Sequence, residues 1–307
     1  MDILLQQIIN GLVQGSVYAL VALGYTMVYG ILGLINFAHG EIVMIGAMVA
    51  LAAIQVLLAA AFSPVLVLVL SVMLAVAVCM ALGYGIERIA YRPLRHAPRL
   101  APLITAIGVS IVLQHLAMII WGREYHSFPQ LLPNSSHHIG GAIITEVQII
   151  IVITAIMVML GLMLLVHHTR LGRAMRAVAE NPTAASLMGV NTNKVISTTF
   201  MLGSALAAIA GIMVSANYGV VHYYMGFMLG LKAFTAAVLG GIGNLRGAML
   251  GGVLLGLIES LGAGYIGTLT GGILGSHYQD ALAFFVLIAV LVFRPSGLLG
   301  ERVAERA

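Results

Sequence analysis

Two short polar interruptions in an apolar chain are the places where chemistry could reside. The first, GLINFAHGE from Gly33 to Glu41, sets Asn36, Phe37, His39, Gly40 and Glu41 between two long apolar runs. The second, GGIGNLRG from Gly240 to Gly247, carries Gly240, Gly241, Gly243 and Asn244 and lies just after Thr235. Broken helices in a bilayer free backbone N–H and C=O groups that only protein or a water-lined cavity can satisfy. Paired glycine-interrupted segments, one towards each end of a membrane chain, point to a translocation route. These residues are the candidates for it.

Three roles compete for Glu41. It could lie at the cytoplasmic end of its helix as an N-terminal dipole partner, pair with Lys232 or Arg246, or line the route itself. His39 reads as an orienting or capping group, because no HExxH motif and no second histidine at helical spacing accompanies it. No metal is assigned. In the second segment Gly247 and Gly251, then Gly252 and Gly256, stand four apart, the spacing that lets two helix backbones approach. Close packing with a tight turn is one reading, and a gate formed by Thr235 and the Gly240–Asn244 backbone is the other. Glu259 should pair inside the bundle, and His115 beside Gln114 should hydrogen-bond between helices. Cys79, the single cysteine, reads as a small buried hydrophobe.

The elements that must position these residues are membrane helices. Of 307 residues, 61% are hydrophobic and 8% charged, with mean hydropathy +1.07. Ile3 to Gly40 and Ile42 to Ile86 contain no Asp, Glu, Lys or Arg, whereas one crossing needs only about 20 apolar residues. Continuous runs of Leu, Ala, Gly and Met argue against a transmembrane barrel, whose strands alternate. The fold class is therefore all-α: a polytopic helical bundle with about 8 to 9 membrane segments, broken or re-entrant helices among them. Helices are predicted at roughly 6–33, 40–62, 64–86, 101–121, 147–167, 195–217 and 280–293, with the intervening stretch folded as a hairpin. Its arms are about 231–241 and 247–262, turning at Ile242 to Arg246, and they are short enough to be half-helices meeting at depth. The whole of 1–307 reads as a single transmembrane domain. The N-terminus lacks a basic n-region and is expected to stay in the mature protein.

Orientation follows from the cations, since basic loops are retained in the cytoplasm. Eleven of the fourteen fall in three places: Arg88, Arg92, Arg95 and Arg99; Arg170, Arg173, Arg176 and Lys194; Arg294, Arg302 and Arg306. The loop Gly122–Glu146, with its FPQLLPNSSHH stretch, is placed outside, as is the N-terminus. The cations separate apolar runs rather than line one face, so no nucleic-acid partner is expected, and the lipid bilayer is the general one.

The loop of about 167–194, HHTRLGRAMRAVAENPTAASLMGVNTNK, is long enough for two helices. Asn181 suits a cap, Pro182 the first turn, and Gly189 ends a helix of roughly two turns from Pro182 to Met188. Ala184, Ala185, Leu187 and Met188 give it an apolar surface that a partner protein or lipid headgroups would cover. No GxxxxGK[ST] phosphate loop occurs in the chain, so it cannot hydrolyse ATP alone.

The segments NFAHGEIVMIGA, RAMRAVAENPTAASLMGVN and KAFTAAVLGGIGNLRGAMLGG, together with IERIAYRPLR and FRPSGLLG, carry a resemblance. The chain resembles the permease subunit of branched-chain amino acid ABC importers, the LivH type, nearly end to end. That resemblance implies a second permease subunit (LivM type), two ATP-binding subunits (LivG and LivF types) carrying ATP and Mg, and a periplasmic amino-acid-binding protein. No cofactor is implied in this chain. It also implies a multi-pass location in the bacterial cytoplasmic (inner) membrane, and that Glu180 through Gly189 is the segment coupling to the ATPase. The cargo it implies is a branched-chain or other apolar amino acid. A proton-coupled secondary transporter of a small metabolite, working through Glu41, His39 or Glu259, is the rival transport mechanism. The chain is not expected to be an enzyme, as it has no GxSxG, HExxH or paired intramembrane Asp motif.

Overall fold

The computed structural model describes residues 2–95, 97–98, 100–131, 135–273 and 275–300. Arg99, Arg302, Arg306 and the Leu132–Asn134 part of the outer loop, used above for orientation, lie outside the described residues. The described residues are mainly helical, with helices α1 (Asp2–Leu32), α2 (His39–Ala59), α3 (Pro64–Ile86), α4 (Leu100–Trp121), α5 (Glu146–His168), α6 (Arg170–Glu180), α7 (Pro182–Leu187), α8 (Thr192–Tyr218), α9 (Met225–Gly240), α10 (Leu245–Leu269) and α11 (Gln279–Phe293). Among the described residues seven helices are long and apolar enough to cross a membrane, α3 being extended to Leu94 by a π turn and a 3-10 turn, and α9 and α11 are shorter apolar helices. This is the polytopic bundle that the composition demanded.

Consecutive helices alternate in direction, so the bundle has two ends. One gathers the last turn of α1, the extension of α3, the end of α5 with α6 and α7, the start of α8 and the α9–α10 turn. Here Arg95 donates to Asn193 Oδ1 at 2.6 Å, and Arg176 donates to the Val166 carbonyl. Gly30 packs on Gly243. We call this the basic end. The far end carries two strand pairs: His126–Ser127 with Val220–Val221, and Ser136–Ile139 with Ala142–Thr145. The N-terminal turn of α1 lies there too, with Gln6 exchanging two hydrogen bonds with the Ile143 backbone at 2.8 and 3.0 Å. The N-terminus is therefore opposite the basic loops, as parity required.

The core is built by close backbone approach. Along α1 and α10, Gly11 stands on Leu257 and Gly15 on Val253, where an added Cβ would lie 2.8 and 2.7 Å from the Cα atoms. Gly252 and Gly256 meet Ala19 and Gly15 from the other side, and Gly247 and Gly251 meet α9 at Gly240 and Ala236. Both four-residue pairs thus serve as packing surfaces, on opposite neighbours of α10. Helices α1, α2 and α8 are mostly buried inside the protein, whereas α3, α4 and α5 turn large apolar side chains such as Met73, Ile104 and Leu164 outwards.

Two expectations need correction. The hairpin does not consist of two half-helices meeting at depth. Helix α10 has 25 residues, a full crossing at about 1.5 Å per residue, and the turn lies at the basic end against Gly30. Its glycines serve contact along the helix rather than a break in it. Likewise His115, expected to hydrogen-bond between helices, faces out of the bundle and satisfies its Nδ1 on the carbonyl of Ile111 in its own helix, at 2.8 Å.

Candidate translocation and coupling site

The Gly33–Ala38 segment turns back into the bundle before α2 begins. His39, at the start of α2, lies against Gly24 of α1 and Gly203 of α8. Gly24 is eight residues short of the end of α1 and Gly203 eleven beyond the start of α8, which places the α2 N-terminus about 12 to 16 Å inside the basic end. That helix start is buried. Asn36, His39 and Glu41 are each 1% exposed.

What lets a helix begin there is a set of partners from four other helices. Asn36 Oδ1 accepts the Tyr91 hydroxyl at 3.0 Å from the π turn Glu87–Tyr91. Glu41 Oε1 accepts Ser110 Oγ of α4 at 3.2 Å. Its Oε2 faces Gly226 in the first turn of α9, and the backbones of Gly40 and Gly230 come close enough that a Cβ on either would lie 2.8 Å from the other's Cα. Rings complete the packing: Tyr25 meets His39 edge-on at 4.8 Å, and Phe37 and Tyr25 contact Phe234 of α9 at 5.9 and 6.1 Å. Glu41 therefore sits where the positive ends of α2 and α9 converge, which stabilises a carboxylate. Of its three readings, first-turn dipole partner matches the geometry, but at depth rather than at the cytoplasmic end. Pairing with Lys232 or Arg246 is not seen among the described residues. Lys232 instead bridges Glu259 at 3.3 Å and Asp280 at 2.7 Å.

The two predicted halves of the route do not form one cluster. Thr235 is buried and donates to the Leu231 carbonyl at 2.9 Å. From Gly226, beside Glu41, to Gly240 is fourteen residues of α9, about 20 Å, so the Gly240–Asn244 turn lies at the basic end. Gly241 and Gly243 hold φ of +107° and +97°, a region closed to most side chains. Asn244 caps α10, accepting Gly247 N–H at 3.1 Å, and its Nδ2 donates to the Leu299 carbonyl at 2.9 Å. The segment after α11 closes the turn: Leu298 and Leu299 N–H donate to the carbonyls of Leu239 and Gly240 at 3.0 and 2.9 Å.

At the same end α7 is a two-turn helix held on one side only. Asn181 Oδ1 accepts Ala184 N–H at 2.9 Å, Pro182 occupies the first turn, and Gly189 follows with φ +84°. Ala185 is buried, whereas Glu180, Asn181, Pro182 and Ala184 are exposed and Leu187 and Met188 are 83% and 85% exposed. Behind it lies a buried ion-pair network. Fully buried Glu87 accepts Arg92 at 2.8 Å, Ser197 at 2.7 Å and Arg95, while Arg95 also reaches Asn193. This network ties α3 to the first turns of α8, which α7 leads into. The sequence reading missed it, although an acid inside the basic run ERIAYRPLR was the available signal.

The profile of the family described as "Branched-chain amino acid transport system / permease component" matches residues 7–291. The chain belongs to that family. It is 48% identical to the high-affinity branched-chain amino acid transport system permease protein BraD of Pseudomonas aeruginosa, over 98% of this chain and 97% of that one. Identity to the corresponding permease protein LivH of Escherichia coli K12 is 45%, over 98% and 97%. A ribose import permease protein, RbsC of Escherichia coli K12, is 34% identical over 42% of this chain and 40% of its own length. No solved structure matches. The broken α1–α2 junction, the α9–α10 turn and the α7 helix are thus features of a transport permease. They belong to a multi-pass membrane protein.

Proposed function

We propose that the chain is one membrane half of an ATP-driven importer of branched-chain or other apolar amino acids in the bacterial inner membrane. A second permease completes the pathway, two ATP-binding subunits carrying ATP and Mg dock on the cytoplasmic basic end, and a periplasmic binding protein delivers cargo to the far end. The observation that carries this reading is α7. A short, capped helix presenting Leu187 and Met188 to solvent beside a rigid Glu87–Arg95–Asn193 anchor suits a socket in a partner that moves. ATP binding would draw the α7 helices of two permeases together and rock the bundles between outward and inward access. Asn36, Phe37, His39, Gly40 and Glu41 lie along the moving junction, with Thr235 and Gly240, Gly241, Gly243 and Asn244 on the helix and turn that transmit the motion. The proton-driven alternative has less support, because Glu259 and Asp280 are already engaged by Lys232.

The test is uptake of labelled leucine into proteoliposomes holding the chain with its genomic partner subunits. Ala184→Arg and Met188→Arg should each cut ATP-driven uptake at least tenfold and release the ATP-binding subunits on co-purification, with the chain itself still folded. Undiminished uptake with the subunits still bound would remove α7 as the docking element.

A further inference from the structure

A cleft of about 1020 Å³ opens at the basic end between the last turns of α1, the start of the α7 segment and the α9–α10 turn. Its walls have two characters. Met27 of α1 and Met175 of α6 are buried and apolar, and Leu32 is partly buried beside them. Glu180 and Arg246 are exposed and both line the cleft, one ending α6 and the other in the first turn of α10. Neither makes an ion pair or a hydrogen bond with another side chain among the described residues. Between rim and wall lies Thr26. Its hydroxyl is buried and has no hydrogen-bond partner, whereas Thr199 and Thr235, equally helical and buried, return theirs to the carbonyl four residues back.

A buried hydroxyl without a partner marks a place where a polar group is missing. Apolar walls, one such hydroxyl and exposed ions of both signs, Glu180 on one hand and Arg246 and Arg176 on the other, suit a zwitterion with an apolar side chain. A purely apolar ligand would leave these ions unanswered.

We propose that this cleft is a cytoplasmic binding site for a free apolar amino acid, and that its occupancy slows further import. The cargo carboxylate takes Arg246 and the Thr26 hydroxyl, the ammonium takes Glu180, and the side chain lies along Met27 and Met175. A ligand held this way joins α1 and the start of α10 to the last residue of α6, two before α7 begins, so it resists the displacement of α7 on which the transport cycle depends. The proposal rests on the transport reading above for the identity of the cargo.

Two measurements test it separately from that reading. In proteoliposomes of the assembled transporter, millimolar L-leucine preloaded on the cytoplasmic side should slow initial ATP-driven uptake and ATP hydrolysis several-fold. Thr26→Val and Arg246→Gln should keep wild-type uptake from empty vesicles and lose most of the inhibition. In the purified chain, alkylation of the thiol introduced by Ile242→Cys at the cleft should be slowed several-fold by L-leucine, and not by inorganic phosphate or by leucinamide, which lacks the carboxylate. Inhibition that persists in both variants, protection by phosphate equal to that by leucine, or absence of protection would each overturn the site. If the assembled complex took up nothing while leucine still protected the thiol, the transport reading would fall and the site would stand.

Discussion

Among individual residues, the buried ions decide most. Glu259 accepts Tyr18 at 2.7 Å, Gln14 at 2.9 Å and Lys232 at 3.3 Å, and Lys232 also holds Asp280, so four helices meet at one ion cluster. Removing the Lys232 ammonium leaves the buried Glu259 carboxylate beside the partly exposed Asp280 carboxylate with no cation between them. Lys232→Met should therefore cost about 3 to 5 kcal/mol, read as a lowered midpoint of thermal unfolding of the purified chain in detergent. The further change Glu259→Gln should recover part of the loss, because it removes one of the stranded charges. The pairing of Glu259 was legible from its isolation in an apolar run. Asp280 was not, because an acid opening a predicted helix reads equally well as a dipole partner. Glu41 shows the same limit: its first-turn position could be read, but the Ser110 and Gly226 neighbours that hold it at depth come from helices far away in sequence.

Among elements, glycine spacing carries the fold. The α1–α10 contact admits no side chain at Gly15 or Gly256, where a Cβ would run into the opposing backbone. Backbone cannot step aside as a flexible side chain can, so Gly256→Leu should destabilise at the upper end of about 1 to 3 kcal/mol for overpacking. Loss of the monodisperse peak on size-exclusion chromatography is the measurement. The four-residue spacing showed that α10 packs closely, and that was correct. It could not show that the helix is also continuous, because the same glycines that permit contact would permit a break. The long α1 stood out as one uncharged run, yet the return of Gly33–Ala38 into the bundle depends on Tyr91 and on Gly24, Gly203 and Gly230, which no local pattern announces. The α7 helix was the most legible element. Its Asn cap, Pro and terminal Gly specify a two-turn helix by local chemistry alone, and it runs Pro182–Leu187, one residue shorter than predicted.

For the whole molecule, charge and parity sufficed to place the ends. The basic loops lie together, the N-terminus lies opposite them, and the hairpin was needed to bring the tail after Phe293 back to the basic side. The closure of the hairpin by that tail was invisible in sequence, since FRPSGLLG carries no periodic signal. Asn244 both caps α10 and donates to Leu299, so Asn244→Ala should cost about 1 to 2 kcal/mol. Hydrogen exchange at the Leu298 and Leu299 amides should quicken with it. One result of this closure concerns synthesis. Asn244 waits for a carbonyl 55 residues further along the chain, so the α9–α10 turn is threaded into the bilayer with its partner still unmade. During that interval the uncapped carbonyls of Leu239 and Gly240 are open to whatever membrane-insertion machinery or neighbouring subunit reaches them first.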